Sequence, residues 1–240
     1  MSNKRVVLII GKPNSGKTTS LRNLPMEEVG YINSDLSDLT FPCEGINEVK
    51  VKNIRSMSKY LAACEKKEEV KYVVMDTLTS MMDMFERQVV LTADKSKTMA
   101  AWSDYGKFFG DTIHDLKAGT KNTIVLSHLT REYNEASMEV VDRIPIKGAV
   151  GKKGAEHQFS TIVEARMVNI KDLEGFENPW LNITEDEQFY GRKRVFQTMP
   201  YKEDGLLTRT PVGMFDRHSV FIDNDAKTLM DIINKYYGEA

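Results

Sequence analysis

The sequence predicts an α/β protein built on a mostly parallel, doubly wound sheet with a β-rich C-terminal extension. Three observations carry this. The apolar run Val6-Val7-Leu8-Ile9-Ile10 feeds a glycine-bounded turn and then a helical stretch. Apolar runs at 70–75 and 123–127 each follow an amphipathic helical stretch, which is the alternation of parallel βαβ units. Beyond His128 that alternation stops, and shorter strand-like segments between polar stretches take over.

Taken in order, residues 5–10 read as a buried strand, and the helix after the turn, from near Gly16 to about Leu24, stops before Pro25. Residues 29–33 form a second strand running into the polar group Ser34-Asp35-Leu36-Ser37-Asp38. The alternating residues 48–52 suit an edge strand. Ile54, Met57, Leu61 and Cys64 mark one face of a helix that ends in the solvated turn Glu65-Lys66-Lys67-Glu68-Glu69. The strand 70–75 closes on Asp76-Thr77, and 78–92 is helical by its Met82, Phe85, Val89 spacing. After a polar break at 95–98, Trp102, Tyr105, Phe109, Ile113 and Leu116 line one side of a helix closed by Gly119. An aromatic stripe at helical spacing reads as core rather than as a base-stacking surface. A strand at 123–127 follows. Residues 130–154 are polar, with Pro145 and glycines 148, 151 and 154. Strands at 161–170, 194–199 and 219–222 precede an amphipathic helix at 225–237, marked by Leu229, Ile232, Ile233 and Tyr236. The expectation is one domain over 1–240, with its core at about 1–170 and the late strands and helix at about 171–240.

Composition narrows the function classes. At 240 residues the chain can fill one α/β core. A net charge of −2 gives no global attraction to nucleic acid, so any such contact needs a local basic patch. Cys43 and Cys64 lack metal-ligand spacing and read as small apolar residues. No run reaches the roughly 18 apolar residues of a membrane span. The N-terminus enters a core strand directly after Met-Ser-Asn-Lys-Arg, leaving no room for a signal peptide. A cytoplasmic location, without membrane contact, is the expectation.

The chemistry begins at Gly11-Lys12-Pro13-Asn14-Ser15-Gly16-Lys17-Thr18, which fits G-x-x-x-x-G-K-[ST], a phosphate-cradling loop. Glycines at both ends let successive N–H groups curl inward, and the helix that follows offers its N-terminus, including Thr19, to the same anion. Lys17 is expected to reach the β- and γ-phosphates of ATP, and the Thr18 hydroxyl to hold Mg²⁺. Asp76, closing an apolar strand, suits the opposite side of that ion; its other reading is a helix N-cap. Thr77, not glutamate, follows it, so the group that orients an attacking water comes from elsewhere.

Several further stretches resemble RecA-type recombinases. Tyr31-Ile32-Asn33-Ser34-Asp35 places Asp35 where those proteins carry a catalytic glutamate. Val73-Val74-Met75-Asp76-Thr77 and Ile124-Val125-Leu126-Ser127-His128 are similar to their metal-binding and γ-phosphate-sensing strands. Residues 147–154, leading into Ala155-Glu156-His157-Gln158-Phe159-Ser160 and a strand, look like their loop for single-stranded DNA. Together with Trp102-Ser103-Asp104-Tyr105-Gly106, the pattern over about 5–167 resembles compact phage-encoded RecA-like P-loop ATPases. That group includes single-strand-annealing recombinases and is placed with AAA-type nucleotide-binding proteins.

The resemblance implies a DNA-stimulated ATPase that binds single-stranded DNA as a homo-oligomer in phage recombination, alongside a phage single-strand-binding or replication protein. It gives Asp35 the water, one methylene shorter than the family's glutamate, with Glu44 in reserve; a turn residue is the other reading of Asp35. It gives His128 the γ-phosphate, against a satisfied buried histidine. Lys147, Lys152 and Lys153, with Phe159 or Tyr133 as stacking partners, suit a DNA backbone or a solvated loop, and Lys152 or Lys153 also suits a cation reaching a neighbouring subunit's γ-phosphate. Arg192-Lys193-Arg194 competes for that last role. Two other functions share these residues: a nucleotide-dependent switch or loader for a replication protein, and a small-molecule kinase.

Overall fold

The computed structural model describes residues 3–134 and 138–238. Its strands are β1 (Val6–Gly11), β2 (Val29–Asn33), β3 (Asn47–Lys50), β4 (Tyr72–Asp76), β5 (Asn122–His128), β6 (Thr130–Asn134), β7 (Glu139–Arg143), β8 (Thr161–Asn169), β9 (Arg192–Gln197) and β10 (Phe221–Asp223). The α-helices are α1 (Met57–Lys66), α2 (Leu78–Phe85), α3 (Thr98–Ala118), α4 (Gly148–Lys153), α5 (Glu185–Tyr190) and α6 (Ala226–Tyr236).

One eight-stranded sheet runs β10-β9-β8-β1-β5-β4-β2-β3. From β3 to β8 every neighbouring pair is parallel, and β9 and β10 are added antiparallel. The strand β1 is buried along its whole length because helices cover both faces of the sheet, which is why it reads as an unbroken apolar run. Alternate residues feed two cores. Leu8, Ile10, Met75 and Val125 pack with α1, α2 and α3, while Val7, Ile9, Val74 and Leu126 pack with Leu229 and Ile233 of α6. Tyr105, Phe109, Ile113 and Leu116 are buried in the first of these, so the aromatic stripe of α3 is core.

What matters for function is the order of the central strands. β5 lies between β1 and β4, with Gly11 opposite His128, and Asn33 of β2 lies opposite Asp76. The carboxyl ends of β1, β5, β4 and β2 therefore open on one edge of the sheet. Ligands of open parallel sheets bind at such an edge.

Several local expectations are corrected. The segment after the phosphate loop is a 3-10 helix, Thr18–Asn23, rather than an α-helix from Gly16 to Leu24. The Ser20 hydroxyl donates to the Lys17 carbonyl, and the Ser20 N–H is shared between Gly16 and Lys17, which tightens the turn. The expected helix 78–92 is α2 followed by a π-turn, Glu86–Val90, with Leu91 N–H donating to Glu86. The stretch 130–154 is a β6–β7 hairpin and then α4 rather than irregular chain; residues 135–137 of it lie outside the described residues. The hairpin is tied by Arg131, whose guanidinium donates twice to the buried Asp142 across the pair. The late strands lie at Arg192–Gln197 and Phe221–Asp223, and α5, with a capping box between Thr184 and Glu187, was not anticipated. Among the described residues no helix is long and apolar enough to cross a membrane.

Candidate active site

Gly11 ends β1, and the chain turns back on itself with Ser15 N–H donating to the Lys12 carbonyl at 3.2 Å. The turn needs left-handed backbone at Asn14 (φ 61°) and Gly16 (φ 97°), conformations that asparagine tolerates and glycine adopts without strain. Lys17 is folded over the mouth of the turn, its Nζ donating to Gly11 O at 2.8 Å and Lys12 O at 3.0 Å. Only 6% of it is exposed, and burial lowers its pKa to about 8 against the pull of Asp76 and Asp35. A desolvated ammonium held by carbonyl oxygens alone is stabilised further by an incoming anion. The Ser15 hydroxyl, also buried, has no partner among the described residues, an orphan that a bound phosphate would satisfy.

Opposite the turn, Asp76 Oδ2 accepts from the Thr18 hydroxyl at 3.0 Å and from the Tyr31 hydroxyl at 2.7 Å. Burial raises the Asp76 pKa, and these two hydroxyls oppose the rise by favouring the carboxylate. Burial and the neighbouring Asp76 push the Tyr31 phenol far up, so it stays a donor. Capping of α2 falls to Thr77, whose side chain accepts from Ser80 N–H at 3.1 Å, so the Asp76 carboxylate is spared that task. A hydroxyl and a carboxylate on one side of a phosphate cradle form the oxygen-only set that suits Mg²⁺. No group of three His, Cys, Asp or Glu among the described residues could hold a metal by itself, so an ion here would take its remaining ligands from phosphate and water.

Asp35 is brought to the same edge by its backbone. Ser34 N–H and Asp35 N–H both donate to the Asp76 carbonyl, at 2.8 and 3.1 Å, and the Ser34 hydroxyl donates to the Asp76 and Thr77 carbonyls. Asn33, buried, closes the turn with its Nδ2 on Ser37 O and its Oδ1 accepting from Leu36 N–H. The Asp35 carboxylate is exposed and oriented by Ser80 Oγ at 2.9 Å and Ser37 Oγ at 2.7 Å. The short side chain is thus offset by a backbone clasp onto β4. A cleft of about 490 Å³ opens beside it, lined by Ser34, Asp35, Ser80, Asp83, Glu86 and Lys147 among others. Glu44 is exposed and no side-chain contact among the described residues ties it to this group.

His128, register partner of Gly11, is half-buried with its Nδ1 lacking a partner. Burial and then the Lys17 charge lower its pKa, so it is neutral at pH 7. A neutral imidazole can donate one hydrogen bond to a phosphate oxygen without competing for the ion.

The basic residues behave differently from one another. Lys147 is paired with Glu86, at 2.8 and 3.0 Å, and Lys152 and Lys153 are exposed on α4 without an ion pair among the described residues. The flexible loop expected at 147–154 is that short helix. Phe159 is buried, which removes it as a stacking partner; Tyr133 is exposed. Lys193 is buried between Glu187 and Asp223, whereas Arg194 lies against Gly16 of its own chain. Tyr31, Asn33 and Ser80 carry site functions that sequence reasoning missed. Tyr31 shares a sheet face with Asp76 only through the β2–β4 register, which the sequence does not display.

Among curated proteins no match to this chain is found. A family model described as an AAA domain matches residues 3–202, a span that contains the phosphate loop, Asp35, Asp76 and His128. With more than half of its length matched, the chain belongs to that AAA-domain family.

Proposed function

We propose that this protein is a Mg²⁺-dependent ATPase of RecA-like type, acting as a homo-oligomer on single-stranded DNA in phage recombination or annealing. The observation that carries the ATPase reading is the convergence of Lys17, Thr18, Asp76, Asp35 and His128 on one strand edge. In this reading the backbone N–H groups of residues 11–19 other than Pro13 cradle the phosphates, and Lys17 neutralises charge building on the β–γ bridge. Thr18 and Asp76 would hold Mg²⁺, which would supply further neutralisation of phosphate charge. Asp35 accepts a hydrogen bond from the attacking water, aligning its oxygen with the γ-phosphorus opposite the leaving ADP oxygen. His128 donates to a γ-phosphate oxygen and loses that bond when inorganic phosphate leaves, which links hydrolysis to the β6–β7 hairpin beginning two residues later.

The DNA part rests on Lys152 and Lys153, two exposed ammonium groups on one short helix without an ion pair among the described residues, and on the exposed Tyr133 of the hairpin. The cytoplasm of a host cell is the corresponding location. ATP turnover with and without single-stranded DNA, for wild type and Lys152→Ala/Lys153→Ala, tests the whole. Turnover raised by DNA, and raised less in the double variant, supports the reading. DNA-independent turnover with a replication protein retained favours the loader. Phosphate appearing on a small acceptor, which would enter the cleft beside Asp35, favours the kinase.

A further inference from the structure

Gly16 is confined for two reasons. Its φ of 97° is one; the other is that a Cβ there would lie 2.6 Å from Arg194 Cδ, 3.3 Å from Arg194 Nε and 3.0 Å from Asn224 Oδ1. An arginine from β9 and an asparagine from the β10–α6 turn therefore press on the residue that immediately precedes Lys17. That turn is fastened to the phosphate-loop helix: Arg22 Nη1 donates to the Asn224 carbonyl at 2.8 Å, and Asn23 Nδ2 to Asp225 Oδ2 at 2.6 Å. Asn224 is buried, 3% exposed, and among the described residues neither its Nδ2 nor its Oδ1 has a hydrogen-bond partner. The Arg194 guanidinium has no hydrogen bond or ion pair among the described residues either. The buried Asn224 carboxamide, left unsatisfied, is costly in the free protein, while the Arg194 side chain beside it is exposed and open to an incoming anion. Both groups gain if an anion meets the arginine and the arginine turns onto the amide.

On the reading of the loop as an ATP site, we infer that Arg194 is a nucleotide-binding residue of its own subunit, its guanidinium pairing with phosphate oxygens above Gly16 and Asn224 positioning it. The planar fork of arginine matches two phosphate oxygens at once, which a lysine at the same place does not. Gly16, Arg194 and Asn224 belong to one chain, so the contact needs no second subunit. The assignment separates Arg194 from Lys152 and Lys153, which point to no feature of the loop.

Equilibrium titration with a fluorescent ADP and ATP analogue tests this in wild type, Arg194→Ala, Arg194→Lys and Asn224→Ala. A hydrogen-bonded charge pair predicts a loss of about 10- to 100-fold for Arg194→Ala, partial recovery in Arg194→Lys and a smaller loss for Asn224→Ala. The loss is expected to shrink for AMP and to vanish for adenosine. Thermal midpoints without nucleotide show that the variants are folded. Wild type binding no nucleotide would overturn the ATP reading itself. Wild type binding while Arg194→Ala binds equally well would overturn only the role of Arg194. Mixing Arg194→Ala with Lys17→Ala distinguishes own-subunit from neighbour action: no recovered turnover is expected, and recovery would place Arg194 on a neighbour's nucleotide and reject the inference.

Discussion

Two lysines in glycine-flanked segments, Lys17 and Lys147, meet opposite fates. Lys17 is sealed under a turn with two carbonyl oxygens as the hydrogen-bond partners of its ammonium among the described residues, and burial depresses its pKa to about 8. Lys147 stands mostly in solvent, with both Nζ contacts on Glu86, whose hydrogen bond raises its pKa. One charge is held in waiting for an anion, and the other already has one. The lesson is that a glycine–lysine pattern specifies an anion site only where the backbone removes the lysine from both water and carboxylates.

The largest effect should follow from removing the waiting charge. Lys17→Ala is expected to lower ATP turnover by about 10³-fold, the scale of losing one preorganised electrostatic contact to a transition state. Phosphate release measures it, and a change under tenfold would erase the distinction between the two lysines. Next in size is Asp35→Asn. It keeps the backbone clasp on Asp76 while removing the acceptor charge and one of the two oxygens that accept from Ser37 and Ser80, so turnover should fall about 10²-fold with ATP affinity little changed. An equal loss in Asp76→Asn but none in Asp35→Asn would return the water to another carboxylate.

The contrast also shows what the sequence displayed. The loop, its strand and Asp76 were legible because each lies in one contiguous stretch whose spacing is set by local geometry: glycines at the turn, an apolar run before a carboxylate. Tyr31, Ser80 and Asn224 were hidden because each reaches the site across strands or from about 200 residues away, through pairings that leave no local trace. Residues 147–154 misled for a related reason. Glycines suggested a mobile loop, yet Gly151 has its missing Cβ toward the Ile146 backbone, and that close packing is what folds the segment into α4. The shift of the late strands by about two residues is the ordinary uncertainty of element ends.

Tyr31→Phe sharpens the comparison from the carboxylate side. It leaves the buried Asp76 with the Thr18 hydroxyl alone, so its pKa should rise further and its grip on the ion should weaken. The Mg²⁺ concentration for half-maximal turnover is expected to rise about tenfold, the low end for a residue that orients a metal ligand. No shift would mean that Tyr31 only fills space. The pH dependence of binding comes next. Lys17 with a pKa of about 8 is protonated at pH 7 and largely neutral at pH 9, and a bound phosphate favours the protonated form. Nucleotide binding should therefore take up protons above pH 8, and its Kd should weaken about fourfold between pH 7 and 8.5. In the fold itself the sign reverses: the unfolded lysine binds its proton more tightly, so stability rises with pH between about 8 and the ordinary lysine value near 10.5. A Kd flat across that range would put the charge of Lys17 outside the phosphate contact.

The smallest effect tests the other side. If Lys147 is neutralised by Glu86, it contributes little to any contact with a DNA backbone, whereas Lys152 and Lys153 contribute fully. Each ammonium that displaces a counterion from single-stranded DNA steepens the fall of log affinity with log salt by about 0.7. Lys152→Ala/Lys153→Ala should accordingly flatten that slope by about 1.4, and Lys147→Ala by much less than 0.7. The thermal cost of Lys147→Ala should be about 1–3 kcal/mol, since it strips the buried Glu86 carboxylate of its ion pair. A slope lowered as far by Lys147→Ala as by Lys152→Ala would show that the Glu86 pair opens when DNA arrives. Lys147 would then be a second waiting charge, released by its ligand rather than by burial.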